Sequence, residues 1–312
     1  MLNINTILVP TDLSKCAAEA LRHAAYLADW HAADLHVINV ASRSMHQFEA
    51  MMDGFPMEEA DLDALLQPDD GSERHLPHAA DLSITQTQIE HVSAPVAIKE
   101  YTESNDVDLV VMGTHGRRGT SRLLMGSVAE DVVRTAPCPV LTVRQGTTVA
   151  PGQAIRRIMV PIDFSDPSQL ALDHAKELAM TYGAEIHLLH VVEEVALPGA
   201  YGMEPISFVV PEIIQSTEKA LAEMVEEEIG YEHVRVESVA GYPATTILDY
   251  IDEHAIDLVA IATHGRTGLD RLLLGSVAEK VVRRAACPVF TVKAHGKSLV
   301  DSTPAQATQS AA

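Results

Sequence analysis

The chain is written twice. Thr6-Ile7-Leu8-Val9-Pro10-Thr11-Asp12-Leu13-Ser14 returns as Arg157-Ile158-Met159-Val160-Pro161-Ile162-Asp163-Phe164-Ser165, and His23-Ala24 returns as His174-Ala175, both 151 residues on. Further along, Gly116 and Gly265, Gly126 and Gly275, and Cys138 and Cys287 stand 149 apart, so small indels separate the copies ahead of the glycine-bearing loop. A period of half the chain means duplication of one domain, and 312 residues are enough for two full cores. Whatever one half folds into, the other must fold into as well.

Each copy alternates strand and helix. In the first, residues 6–10 are an apolar strand, and Ser14 can cap a helix whose Ala17, Leu21, Ala24, Ala25 and Ala28 form one face. Strands follow at 34–40, near 84–91, at 108–112 and at 139–143, with helices near 95–103 and from Ser127. A short acidic helix near 57–66 lies in the long, irregular stretch from Ser42 to Leu82. The second copy has strands near 157–161, 185–191, 234–239, 257–262 and 288–292, and a regular helix from Glu212 to Glu228. This alternation implies an α/β fold, a parallel sheet covered by helices on both faces. The domain boundaries expected are 1–146 and 154–295, joined by a short linker, with 296–312 a polar, disordered tail.

One stretch in each half carries chemistry. Gly113-Thr114-His115-Gly116 leaves the strand at 108–112, and Gly126-Ser127-Val128 opens the next helix. Backbone N–H groups converge where a glycine-bearing loop meets a helix N-terminus, and the helix dipole favours an anion there. Gly113 and Gly116 can take positive φ and allow close backbone approach, and Arg117 and Arg118 add charge. Ser127 to Glu130 reads as a capping box with Ser127 as N-cap, repeated from Ser276 to Glu279.

A strand ending in Val-Pro-Thr-Asp, then Gly-x-x-Gly, nine residues and Gly-Ser resembles the universal stress proteins. Gly113, Gly116, Gly126 and Ser127 fit that pattern, with 117–125 as the spacer, and both motifs recur in both halves. The resemblance implies two tandem open five-stranded parallel sheets of order 3-2-1-4-5, the adenine nucleotide alpha hydrolase-like fold. In such a sheet a ligand sits outside the strand ends where the order reverses. It further implies that Pro10, Asp12 and the main chain of Val40 hold the base and ribose of ATP. Gly113, His115, Gly116, Arg117, Gly126, Ser127 and Val128 would surround its phosphates with Mg²⁺. In the second half Asp163, Gly265, Gly275 and Ser276 are retained, but Ala262 stands in place of Gly113, where a methyl group is expected to obstruct the backbone or crowd a phosphate. The family also implies association through the fifth strands, exposed edges that invite pairing. Here residues 139–143 and 288–292 would pair within one chain, with a homodimer open beyond that.

Composition narrows the function classes. A formal charge of −22 argues against sequence-independent binding to nucleic acid or an anionic membrane. No apolar segment approaches the roughly 20 residues that span a bilayer, and no basic region followed by a long apolar run opens the chain. Three widely spaced cysteines without a C-x-x-C fit a reduced cytoplasm. There is no P-loop, dinucleotide fingerprint or nucleophile elbow, no metal-spaced histidine set, and no evident general base. The reading is therefore a cytoplasmic ATP-binding stress-response or signalling module, without a catalytic residue. A slow ATP hydrolase and an interaction scaffold that binds no nucleotide are its competitors.

Overall fold

The computed structural model describes residues 2–42, 62–67, 77–116, 125–147, 155–193, 210–226, 230–265 and 274–300. The first half contributes β1 (Thr6–Pro10), α1 (Lys15–His31), β2 (Asp34–Ser42), α2 (Leu62–Leu66), β3 (Ile84–His91), α3 (Ala94–Ser104), β4 (Leu109–Gly113), α4 (Ser127–Thr135) and β5 (Val140–Val143). The second contributes β6 (Arg157–Pro161), α5 (Asp166–Tyr182), β7 (Glu185–Glu193), α6 (Val210–Met224), β8 (Val234–Gly241), α7 (Pro243–Glu253), β9 (Leu258–Ala262), α8 (Ser276–Arg284) and β10 (Val289–Val292). The regular helix expected from Glu212 to Glu228 thus begins earlier, its α-helical part runs to Met224, and its expected end lies outside the described residues. The methionines of the long first-half stretch, Met45 to Met57, lie outside the described residues, as does Arg117.

Within each half the strands are parallel and run in the expected order. The two sheets are one, however: the full order is β3-β2-β1-β4-β5-β10-β9-β6-β7-β8. β5 and β10 pair antiparallel, with Leu141 opposite Phe290 and Val140 opposite Thr291. This is the intrachain pairing expected for residues 139–143 and 288–292. Two threonines tie the seam from the side chain as well: Thr142 Oγ1 donates to Val289 O at 3.2 Å and Thr291 Oγ1 to Val140 O at 3.0 Å.

Parallel strands covered on both faces read as continuous apolar runs, and β1 shows why. Ile7, Leu8 and Val9 are all fully buried. Ile7 and Val9 join the apolar cluster beneath α1 and α5, while Leu8 joins the one beneath α3, α4, α7 and α8. Each cluster runs across the seam, through Leu141 and Phe290 on one face and Val140 and Val289 on the other. Cys138 and Cys287 are buried beside the seam, and burial pushes both thiols up to about 12, which keeps them protonated and unreactive. Among the described residues no helix is long and apolar enough to cross a membrane.

Two expectations need correction. Ser127 and Ser276 are not N-caps: Gly126 and Gly275 hold the cap positions, and neither helix has a side-chain cap bond. The first intrahelical bond runs from Glu130 N to Gly126 O, one residue earlier than the capping box assumes. Residues 296–300, expected to begin a disordered tail, instead form a strap that returns to the first half. Lys297 N donates to Pro137 O, its Nζ contacts Asp106 and the buried Asp108 at 2.7 and 2.6 Å, and Leu299 is 2% exposed. Asn3 N donates to Leu299 O, so the strap joins both ends of the described chain.

The strap is fixed on the second half by His174, which is fully buried. Its Nδ1 faces Leu170 O at 2.8 Å and its Nε2 faces the Leu299 amide N–H at 3.1 Å. Only a neutral ring protonated at Nδ1 satisfies both partners. Burial accordingly holds its pKa below the ordinary value. Unfolded histidine takes up its proton near pH 6.5, about, so this ring's contribution to stability is complete above that pH. It declines as pH is lowered from there through the depressed folded value. In urea titrations at about pH 7.5 and about pH 5.5, wild type is expected to lose more stability on acidification than His174→Gln. Leu299→Ala should cost about 2–4 kcal/mol at either pH.

Candidate functional site

β1 ends at Pro10 and the chain turns through Thr11, Asp12 and Leu13 into α1. Leu13 sits at φ +62°, the left-handed region that a branched apolar side chain rarely occupies. Three local bonds hold it there. Asp12 Oδ1 accepts from Ser14 N at 3.0 Å, Thr11 Oγ1 accepts from Leu13 N at 3.0 Å, and Thr11 N donates to Ile38 O at 2.8 Å. Asn39 Nδ2 donates to Thr11 O at 2.8 Å from the neighbouring strand. Strain of this kind persists only where the surroundings over-determine it, and it gathers at functional sites.

The second half builds the same turn with different side chains. Phe164 is at φ +61°, Asp163 Oδ1 accepts from Ser165 N at 3.1 Å, and His190 Nδ1–H donates to Ile162 O at 2.7 Å in the place of Asn39. Sequence reasoning found the two aspartates and missed Leu13, Phe164, Asn39 and His190. The available signal was the retained Asp-x-Ser triplet, which marks a side chain bonding to the amide two residues on.

β4 ends at Gly113 beside β1. Thr114 N donates to Val143 O at 2.9 Å, and Gly126 N returns to Thr114 O at 2.8 Å, so the loop leaves and re-enters at one point. Thr263 and Gly275 repeat both bonds at 2.9 and 2.8 Å. Gly113 and Gly116 do not use positive φ; of the two freedoms expected of them, the close approach is the one the structure uses. What demands glycine is space. A Cβ on Gly116 would stand 2.5 Å from Asp12 Oδ2, so the carboxylate from the start of the chain lies directly against the loop 104 residues later. Gly265 and Asp163 make the same approach.

A Cβ on Gly113 would meet Cys16, 2.9 Å from Sγ and 3.0 Å from the carbonyl. The position therefore faces the first turn of α1. Its counterpart Ala262 is buried in the cluster beneath α5, where Pro167 replaces Cys16 and carries no thiol. Ala262 is thus accommodated in the core of the second half.

The other described sequence-predicted residues fall at the strand-end side of their own half, and the antiparallel seam puts the two sides at opposite ends of the sheet. Val40 lies two residues past the β1 partner Ile38, pairs with Ile89, and is half-buried with Val128 against the α3–α4 cluster. Ser127 is exposed at the first turn of α4, and Gly275 and Ser276 open α8 likewise. His115 Nδ1 is 2.8 Å from Thr114 Oγ1, and His264 Nδ1 is 2.9 Å from Thr263 Oγ1. Beside Gly116 opens a cleft of about 470 Å³ bordered by Ser14, Lys15, Cys16, His115 and Arg144. Burial raises the Cys16 thiol above its ordinary pKa, so it is no ready nucleophile.

The profile of the universal stress protein family matches residues 3–144 and again 154–293. The chain belongs to the universal stress protein family. A universal stress protein of Methanocaldococcus jannaschii is 38% identical over 141 residues, 44% of this chain and 82% of its own. The universal stress protein E homolog of Haemophilus influenzae is 30% identical over 211 residues, 63% of this chain and 65% of its own. Among solved structures, a universal stress protein from Archaeoglobus fulgidus covers 94% of this chain and 97% of its own with a TM-score of 0.62, at 22% identity, a likeness of fold. In this tandem stress protein the two units differ at Gly113 and Ala262, which gives a direct stability test. Gly113→Ala should destabilise by about 1–3 kcal/mol through overpacking against Cys16. Ala262→Gly should cost only about 0.5–1 kcal/mol, both read from urea midpoints.

Proposed function

We propose that the first half holds an adenine nucleotide, with Asp12 and the main chain of Val40 at the base and ribose and the Gly116 and Gly126–Val128 backbone at the phosphates. One observation carries this reading: Asp12 and Gly116 touch at the ends of β1 and β4, the point where the strand order reverses. The residues suit such a ligand. Glycine at 116 leaves backbone amides without a side chain in front of them, and α4 opens with exposed amide groups at Ser127. Val40, Ile89 and Val128 offer an apolar wall for a base. Among the described residues no group of three or more His, Cys, Asp or Glu could hold a metal ion, so Mg²⁺ at this site would be held chiefly by the phosphates it accompanies.

The second half repeats the same frame at Asp163, Gly265, Gly275 and Ser276. The role we assign is a nucleotide-dependent stress-response module in which occupancy, not turnover, is the signal. Asp12 lies at the base end of the proposed nucleotide and is tied to Ser14 N, so it is poorly placed to activate water. Equilibrium titration with Mg-ATP tests the reading. Gly116→Val is expected to weaken binding at least about tenfold while circular dichroism stays native, and ATP recovered after incubation should be intact. Equal affinity in wild type and variant would refute nucleotide binding here; released phosphate, abolished in Ser127→Ala, would favour the hydrolase.

A further inference from the structure

The antiparallel seam turns the two halves head to tail, so the base of the second half borders the site end of the first. Arg144 follows β5 directly, and its Nη1 donates to Arg284 O at 3.0 Å at the end of α8. That bond anchors Arg144 in the lining of the 470 Å³ cleft, which Lys15, His115 and Gly116 share. Gly146 N is held by the Glu19 carboxylate at 3.0 Å, which fixes the loop behind Arg144. In a chain of net charge −22 a polyanion is repelled over most of the surface. The cleft offers it two cationic side chains, Lys15 and Arg144, with the Glu19 carboxylate engaged by the Gly146 amide.

The duplication provides an internal control. Lys15 corresponds to Asp166, the first residue of α5, and Arg144 corresponds to Lys293. Lys293 is turned to the seam, where its Nζ donates to Ala136 O at 2.5 Å, and desolvation pulls its amine down to about 8. From Lys293 the chain continues as the strap of residues 296–300 rather than as a linker. Arg144 and Lys293 make counterpart contacts across the seam, so what separates the halves is that the second has exchanged Lys15 for the carboxylate of Asp166 and has desolvated its remaining cation.

We propose that the Lys15–Arg144 cleft is a polyphosphate subsite present in the first half alone. It takes the distal phosphates of a nucleotide whose base lies by Asp12, and the second half has no equivalent for them. The proposal rests on the nucleotide reading above for the orientation of the ligand, but the cleft's preference for a polyphosphate is separately measurable. Each charge-assisted contact to a phosphate oxygen is among the stronger hydrogen bonds a protein makes. Lys15 and Arg144 are thus specificity determinants for phosphate number.

Calorimetric titration of the full chain with Mg-ATP, AMP and inorganic tripolyphosphate decides the matter. Wild type is expected to prefer ATP over AMP and to bind one tripolyphosphate per chain. Lys15→Ala and Arg144→Ala should each weaken ATP and tripolyphosphate about tenfold and leave AMP within about twofold. Asp166→Lys should raise tripolyphosphate stoichiometry above one. An ATP-to-AMP ratio unchanged in both alanine variants, or two equivalent triphosphate sites in wild type, overturns the proposal. If no adenine nucleotide binds, the reading of the previous subsection fails while the cleft is still judged: tripolyphosphate bound by wild type and weakened in both variants supports it, and no binding of tripolyphosphate overturns it.

Discussion

The pairing of β5 with β10 is the interaction on which the arrangement depends. A five-stranded parallel sheet of this order ends on β5, whose outward N–H and C=O groups must be satisfied by something. Here the second copy supplies the partner, and antiparallel register between Val140–Thr142 and Val289–Thr291 makes the two halves pseudo-symmetric. Leu141 and Phe290 carry the apolar core through the seam on one face, and Val140 and Val289 on the other. The halves are consequently not beads on a linker. They share a sheet and two continuous cores, and each presents its strand ends at the base of the other.

That geometry decides what surrounds each site. On the first half the chain leaving β5 places Arg144 against the end of α8; on the second the chain leaving β10 places Lys293 against the end of α4. The contacts are counterparts, yet their continuations differ. After Lys293 the strap brings Lys297 to Asp108, a carboxylate 3% exposed at the start of β4 that also accepts the amides of Asn5 and Thr6 at 2.6 and 2.9 Å. A buried carboxylate with a lysine partner costs far less than one alone. The equivalent Asp257 accepts Arg156 N and Arg157 N at 2.8 and 3.0 Å. Duplication supplied two equal acids, and only one acquired a partner from the chain terminus.

Much of this was legible in the residues. Ile7-Leu8-Val9 and Leu109-Val110-Val111 could only be buried strands, and the double occurrence of Asp12 and Gly116 located the reversal point. Less legible were features that depend on what lies across space. The glycines at 113 and 116 suggested positive φ as well as close approach; only the second holds, and the neighbours that require it, Cys16 and Asp12, are about 100 residues away in sequence. The strain at Leu13 and Phe164 is invisible in a local pattern because nothing in their types favours left-handed backbone. Ser127 looked like a cap because Glu130 follows at the right spacing, but the helix begins a residue earlier through the Gly126 carbonyl. Composition hid the strap too. A polar, small-residue stretch after Val292 contains one leucine, and that leucine is buried.

The substitutions between the halves follow a physical logic. Where Cys16 became Pro167, Gly113 became Ala262: in the first half a methyl group at 113 would meet both the thiol and the main chain of Cys16, and in the second the methyl group is buried in the core. Where Asn39 became His190, the bond to the carbonyl of the turn was kept, at 2.8 and 2.7 Å. Such changes preserve the frame. Lys15 to Asp166 is different in kind, since it reverses the charge at the edge of a cleft without touching the turn, the strand or the seam. In the second half the acid stands in the first turn of α5, where the helix dipole favours it, whereas Lys15 in the first half opposes that dipole, so the local cost falls on the half that carries the cation.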